Sequence, residues 1–159
     1  MVIFSTILSG VLIFVLGQIF LKIILEPIQN LKKTISNISH CLIHDYVVFQ
    51  NSDMTEKIEI KEAKKRLRDL SARLNSDHQQ IPFYEKFHKW FKLPIINNIY
   101  QASDKLHLLF NMIESKQADK HDYIDLLRKQ ASDLLDIHLP DKEPMSIIQL
   151  KENIRELRG

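Results

Sequence analysis

Cysteine and glycine are nearly absent from this sequence, and each shortage excludes a class of protein. The single cysteine, Cys41, cannot form an intrachain disulfide, which excludes a disulfide-stabilised scaffold and fits a reducing compartment. The three glycines leave no glycine-rich loop for nucleotide phosphates and no nucleophile elbow. The chain also has only five prolines and no low-complexity tract. This low content of turn-forming residues is typical of a helical protein rather than of one built from strands and turns.

Sequence signatures of catalysis and of metal binding are also missing. The seven histidines are scattered, and only His40 and His44 lie four residues apart, with no identifiable third ligand. Acidic residues occur at ordinary salt-bridge spacing rather than as a catalytic pair. The net charge of +2 is too close to balance to indicate wholesale binding of nucleic acid or acidic lipid. We therefore expect no enzyme activity, no metal and no cofactor.

Charged side chains are absent from residues 1–21, MVIFSTILSGVLIFVLGQIFL. As a helix this run would be ~32 Å long, enough for a hydrocarbon core of ~30 Å. It is too long for a signal peptide and no Lys or Arg precedes it, so we expect an uncleaved anchor over residues 1–25. Lys22, Lys32 and Lys33 follow it, which predicts a cytoplasmic body and an external N-terminus. The expected location is the bacterial inner membrane, with one span per chain.

Small residues lie along one face of the predicted span. Thr6, Gly10 and Gly17 share this face at helical spacing, and small residues let helix backbones approach closely in lipid. The face therefore predicts a helix–helix seam between copies of the chain. The alternative is that an apolar span of this length contains some Gly and Ser by chance.

A polar stripe runs along the helix as it leaves the predicted membrane. Its members recur every three or four residues and are Gln18, Lys22, Glu26, Gln29 and Lys33. In a monomer the stripe would be an interfacial face, with Lys22 reaching outward and Glu26 pairing with it. In a symmetric ring it would face the axis and line a hydrated pore, because lipid disfavours exposed polar side chains. Pro27 predicts a kink near Ile23 without ending the helix.

The rest of the sequence predicts an all-α protein. A juxtamembrane helix is expected over residues 26–50, continuing from the span, followed by a cytoplasmic antiparallel helical bundle over residues 51–159. Apolar residues at helical spacing predict one helix after an N-cap at Thr55, one after a cap at Asn97-Asn98, one opening at Asp119 or Asp122, and a short last helix after Pro144. The run KKRLR in the first of these indicates either a solvated helix face or a nucleic-acid patch.

The segment IPFYEKFHKWFKLP, residues 81–94, concentrates aromatic residues and lysines. One interpretation is a core helix in which Phe83, Phe87 and Trp90 share a buried face. A second is an amphipathic helix resting on the inner leaflet, with its lysines on lipid phosphates. A third is a ligand site, formed by Phe83, Phe87, His88, Lys89 and Trp90, where rings stack on nucleobases and the basic groups hold phosphates.

The run VLGQIFLKIILEPIQNLKK followed by IPFY resembles small single-span bacterial membrane proteins with cytoplasmic helical bodies, several of which look like effectors of anti-phage defence systems. The resemblance covers about the first hundred residues. It implies a homo-oligomeric effector that forms or disrupts a membrane pore when a cytoplasmic signal, such as a nucleotide or oligonucleotide, binds the body. The alternative is a membrane-tethered adaptor or scaffold whose body binds a soluble protein partner.

Overall fold

The computed structural model describes residues 2–50, 56–113, 115 and 120–139. Every regular element in these residues is a helix, so the all-α class is confirmed. The helices are α1 (Val2–Phe20), a π-helical segment (Leu21–Leu25), α2 (Glu26–His44), α3 (Tyr46–Gln50), α4 (Lys57–Gln79), α5 (Tyr84–Phe87), α6 (Ile96–Met112) and α7 (Lys120–Leu134).

The first helix is continuous from Ile3 to His44, a run of 42 residues. Its N-terminal half is not buried by any other described part of the chain and is long and apolar enough to cross a membrane. As predicted, the helix continues through Pro27. Proline removes one backbone donor and crowds the carbonyl of Ile23, and here the backbone widens into the π segment, where the Glu26 N–H donates to the Leu21 carbonyl.

The hydrophobic core forms where α2 packs on α4, α4 on α6 and α6 on α7. On α2 the sector opposite the polar stripe is buried, as the spacing predicts, with Ile28, Leu31, Ile38 and Leu42 almost fully enclosed. The segment 26–50 and the helices after it therefore share one core.

Two side-chain contacts fix the relative direction of α2 and α4. At the middle of α2, the Thr34 hydroxyl donates to the Asp77 carboxylate at 2.6 Å, close to the end of α4. Just after the end of α2, Asp45 meets Arg66 in the first half of α4. The two helices therefore run in opposite directions, and the end of α4 lies toward the apolar half of the long helix.

The apolar periodicity of α4, α6 and α7 is confirmed, and their ends differ in part from the prediction. The caps at Asn97-Asn98 are wrong, because α6 starts at Ile96 with Ile95 in the N-cap position. The structure begins α4 at Lys57 with Glu56 in the N-cap position. Thr55, Asp119 and the predicted last helix lie outside the described residues.

The prediction of a core helix across residues 81–94 is wrong. Only Tyr84–Phe87 are helical, and turns follow as far as Lys92. Phe83 and Lys92 have φ of 54° and 51°, in the left-handed region. A right-handed helix therefore cannot continue through either residue. As a result Phe83 and Trp90 are exposed instead of buried.

Candidate functional site

A polar groove runs between α2 and α4. Its larger part has a volume of about 410 Å³ and is lined by Asn37, His40, Cys41, His44, Asp45, Arg66, Asp69, Leu70 and Arg73. A second part, of about 240 Å³, continues toward the span and is lined by Asn30, Lys33, Thr34, Asn37, Arg73 and Asp77. Because Asn37 and Arg73 border both parts, the groove is one continuous surface feature, which we call the α2/α4 groove.

An ion pair with a buried carboxylate lies at the end of the groove away from α1. The Asp45 side chain is only 2% exposed, and Arg66 donates to both of its oxygens, from Nη2 to Oδ1 at 2.9 Å and from Nε to Oδ2 at 3.0 Å. A carboxylate enclosed in this way needs a partner, because the loss of water destabilises an isolated charge. The forked guanidinium matches the carboxylate geometry, so this pair joins the end of α2 to α4.

Two further groups of the long helix approach the Asp45 carboxylate. His44 Nδ1 lies 2.9 Å from Oδ1, and the Cys41 thiol donates to Oδ2 at 3.3 Å. Burial alone would raise the pKa of Asp45, but hydrogen bonds from Arg66, His44 and Cys41 outweigh it and hold the pKa below its usual value. Asp45 is therefore ionised at neutral pH.

The Cys41 thiol is held in its neutral form. Burial, followed by the charge and hydrogen bond of Asp45, raises its pKa far above the usual value. A neutral thiol is a weak nucleophile and a poor metal ligand, so Cys41 acts here as a hydrogen-bond donor. Within the described residues, no three His, Cys, Asp or Glu side chains are placed to share a metal ion. The rings of His40 and His44 stack on each other, with centroids 5.2 Å apart.

Charged groups of both signs line the groove. Arg73 borders both parts and Lys33 borders the part nearer the span, so two cations line the middle of the groove. Three acidic groups also line the groove: Asp45 is paired with Arg66, Asp77 accepts the hydrogen bond from Thr34 and keeps its charge, and Asp69 borders the part that holds the ion pair. Guanidinium and ammonium groups in this arrangement favour phosphate or carboxylate groups.

The polar stripe leads directly into this groove. All five of its residues are exposed, and the last of them, Lys33, lines the groove. In an uninterrupted α-helix Gln18 and Glu26 would lie about 80° apart around the axis, and the extra residue of a π turn reduces this to about 20°. The π segment therefore brings Gln18 and Glu26 close to one line along the helix.

The predicted seam residues Thr6, Gly10 and Gly17 lie on the exposed surface of α1. No atom of the described chain beyond their immediate helical surroundings lies within 4 Å of a Cβ built on Gly10 or Gly17. Within the described chain, no other segment therefore approaches these glycines closely enough to require the absence of a side chain.

The five residues of the predicted aromatic ligand site do not converge on one surface. Phe83 and Trp90 are exposed, whereas the half-buried Phe87 packs near Phe91 at a centroid distance of 6.3 Å. His88 stacks near Tyr84, and its Nδ1 lies 2.8 Å from the Glu85 carbonyl oxygen, so its ring serves the fold of the loop. Lys89 is exposed.

The basic run KKRLR forms a mixed surface. Lys65 and Arg68 are exposed, as expected of a solvated helix face. Lys64 lies 4.6 Å above the ring of Phe110 on α6, a cation–π contact that fixes part of this face against the neighbouring helix.

The sequence analysis noted His40 and His44 but missed the Asp45–Arg66 pair. The available signal was one acidic residue inside the otherwise apolar run from Leu42 to Phe49, which needs a cation from elsewhere if the run is buried. Spacing along α4 also offers Arg66 a partner in Glu62, four residues earlier, but that contact is long, at 3.8 Å, and exposed.

No protein-family model, curated protein or solved structure matches this chain. Its function is therefore inferred from its own residues and their arrangement.

Proposed function

We propose that this chain is a homo-oligomeric effector of the bacterial inner membrane. In this proposal α1 crosses the bilayer once, with its N-terminus outside, and the helical body is a cytoplasmic antiparallel bundle. A signal that binds the body changes the packing of the spans, which then form or disrupt a pore. The observation that carries the proposal is the continuous helix from Ile3 to His44.

Helix continuity matters because it provides mechanical coupling. The half of the long helix within the body is fixed by Ile28, Leu31, Ile38 and Leu42, which are almost fully buried in the core. A displacement of α2 is therefore transmitted to α1 without an intervening loop. A protein that needed only attachment to the membrane could use a flexible linker between span and body.

The polar stripe and the small-residue face support an oligomer. Gln18 lies within the apolar run, and an amide in hydrocarbon is unfavourable without a hydrogen-bonding partner. A ring of chains would place Gln18, Lys22 and Glu26 around a hydrated axis. The space next to Gly10 and Gly17 would then admit the neighbouring helix.

The α2/α4 groove is the proposed site of the signal. It adjoins the polar stripe through Lys33, and its cations suit the phosphate of a nucleotide or oligonucleotide. A ligand that draws Arg73 and Lys33 together would act on both α2 and α4. The resemblance to effectors of anti-phage defence provides the biological setting for such a signal.

Membrane leakage of cells that express the chain tests the pore. We expect Gln18→Leu to abolish leakage while the protein still accumulates in membranes, because the substitution removes the polar group from the axis. Ile19→Leu is the matched control and should leak like the parent chain. Normal leakage with Gln18→Leu would overturn the pore.

Insertions between Leu25 and Glu26 test the coupling. About two turns of alanine-rich helix keep the direction of the span, whereas a Gly-Ser linker of equal length does not transmit displacement. We expect leakage to survive the helical insertion and to be lost with the flexible one. Equal leakage from both variants would contradict the coupling.

Ligand binding to the groove is tested on the detergent-solubilised full chain. We expect nucleotides or short oligonucleotides to raise its unfolding temperature, and Arg73→Gln to remove this effect while Arg68→Gln retains it. An unchanged shift in the Arg73 variant would exclude the groove as the site.

An adaptor is the second candidate, and one observation favours it. Tyr123 and Leu126 lie one turn apart on α7, and each is nearly half exposed, which provides an apolar contact surface for a protein partner. Replacement of residues 1–25 with an unrelated single span separates the two functions. An adaptor would keep its activity after this replacement, whereas an effector would lose it.

A further inference from the structure

The loop of residues 81–95 displays the most exposed ring of the body. Trp90 is 85% exposed and Phe83 is 71% exposed. Ile95, the last residue of the loop, is exposed as well. Large apolar side chains that are exposed together indicate a contact surface for another molecule or a membrane.

The loop is well anchored, so this exposure is a property of an ordered structure. Ile81, Tyr84 and Leu93 are buried in the core. The Tyr84 hydroxyl donates to the Pro94 carbonyl at 2.7 Å, and the Leu93 N–H donates to the His88 carbonyl at 2.8 Å. These contacts tie the two ends of the loop together and hold Trp90 outside the core.

The position of the loop relative to the span follows from the direction of α4. Asp77 lies beside Thr34, and Thr34 is about 14 Å along the helix from the end of the apolar run at Leu25. Beyond Asp77 the chain continues toward the span to the end of α4 at Gln79, and the loop begins directly afterward. The loop therefore lies at the end of the body where the long helix emerges toward its apolar half.

The charges of the loop suit an anionic surface. Lys86, Lys89 and Lys92 are all exposed, and Glu85 is the single acidic residue among residues 81–95. Tryptophan and phenylalanine rings near the lipid headgroups, together with lysines on phosphates, are the usual composition of an interfacial membrane contact.

We propose that the loop of residues 81–95 rests on the bilayer surface, with Phe83 and Trp90 at headgroup depth and its lysines on anionic lipid phosphates. This inference rests on the membrane span of the proposed function. It adds a second contact, which would hold the body at a fixed height and orientation against the membrane.

The arrangement of the rings favours lipid over a stacked oligonucleotide. Bases stack on rings that lie free along one groove. Here the Lys86 ammonium lies over the Phe83 ring, 5.6 Å from its centroid, and Phe87 and His88 pack against neighbours within the loop. Insertion into headgroups requires only that the apolar side chains project from the body.

The fluorescence of Trp90 tests the proposal directly, because it is the only tryptophan in the chain. The full chain is reconstituted into vesicles of phosphatidylcholine with phosphatidylglycerol, with or without bromine on the acyl chains near the headgroups. We expect a blue-shifted emission in vesicles relative to detergent and at least about twofold quenching by the brominated lipid. The shift should weaken when phosphatidylglycerol is omitted.

A tryptophan moved to α7 provides the matched control. In Trp90→Phe/Tyr123→Trp the ring occupies the far end of the body, since Asp125 contacts Gln50 beyond the end of α2. Tyr123 is itself about half exposed, and we expect no quenching by brominated lipid from this position. Equal quenching at both positions would overturn the proposal, because it would mean that the body has no fixed orientation.

The remaining outcomes separate this proposal from the membrane span. A chain that floats with the vesicles but whose Trp90 is unquenched would overturn the loop contact alone. A chain that does not float with the vesicles would overturn the span and the loop contact together. Quenching of Trp90 by an added oligonucleotide, without quenching by brominated lipid, would overturn the proposal in favour of base stacking.

Discussion

Asp45 and Arg66 are joined by two hydrogen bonds of 2.9 and 3.0 Å at the end of the α2/α4 groove. The carboxylate is almost fully enclosed, whereas the Arg66 side chain is 48% exposed. The cost of breaking this pair therefore falls mainly on Asp45, which would stay charged without its partner.

Loss of Arg66 should destabilise the fold. We expect Arg66→Met to lower the free energy of unfolding by about 2 kcal/mol, less than for a fully buried pair because the guanidinium is partly solvated. Helix circular dichroism during urea unfolding in mild detergent measures the change. Arg68→Met, at an exposed position on the same helix, should stay within about 0.5 kcal/mol of the parent. Equal losses in the two variants would contradict a special role for Arg66.

Acid should weaken the fold through Asp45. Its pKa is lower in the folded chain than the usual value of about 3.9 in an unfolded one. The stability contributed by Asp45 is therefore fully present above about pH 4 and is lost as the pH falls through the lower folded pKa. The urea midpoint between pH 6 and pH 2 measures this loss. Asp45→Asn should show a flatter profile, and an identical slope in that variant would assign the loss to other carboxyl groups.

Cys41 should resist thiol reagents until the groove opens. Burial encloses its sulfur, and burial together with Asp45 raises the pKa of the thiol, so little reactive thiolate forms at neutral pH. We expect maleimide labelling at pH 7.5 to be at least about tenfold slower in the folded chain than in urea. The charge of Arg66 lowers the thiol pKa, so Arg66→Met raises that pKa further, and faster labelling of this variant would report exposure of the sulfur. Fast labelling of the folded parent chain would show that the groove is open in solution.

Enlargement of Gly10 should affect association between chains and leave each chain folded. A Cβ at this position has open space around it within the chain, so Gly10→Leu causes no clash in a monomer. We expect helix content to be unchanged while cross-linking between copies in membranes falls several-fold. Val11→Leu, at the adjacent exposed position, serves as the control. Unchanged cross-linking in the Gly10 variant would exclude the predicted seam.

The periodic part of this fold could be predicted from the sequence because local rules determine it. The apolar spacing of α2, α6 and α7 predicts one buried face on each helix, and the apolar residues that it indicates supply most of the buried apolar side chains there. The loop of residues 81–95 could not be predicted, since Phe83 and Lys92 take left-handed backbone angles that an apolar periodicity does not encode. Phe83, Phe87 and Trp90 then no longer share a face.

The groove could not be predicted for a different reason. Whether Asp45 meets Arg66 depends on how far α4 is shifted along α2, and that shift results from packing across the whole core. Asp45 alone indicated that a cation was needed. Several basic residues of α4 were eligible partners, and spacing along the chain did not distinguish among them.

The π turn at Leu21–Leu25 gives the long helix a second available geometry. If that turn tightened to ordinary α geometry, every residue before it would rotate by about 100° about the helix axis while the body stayed in place. Such a rotation would carry Gln18 from a shared axis toward lipid without any helix unfolding. Deletion of Ile24 would remove the extra residue and fix the helix in α geometry without this rotation, so we expect cysteines introduced along α1 to cross-link on the same face in that variant as in the parent chain.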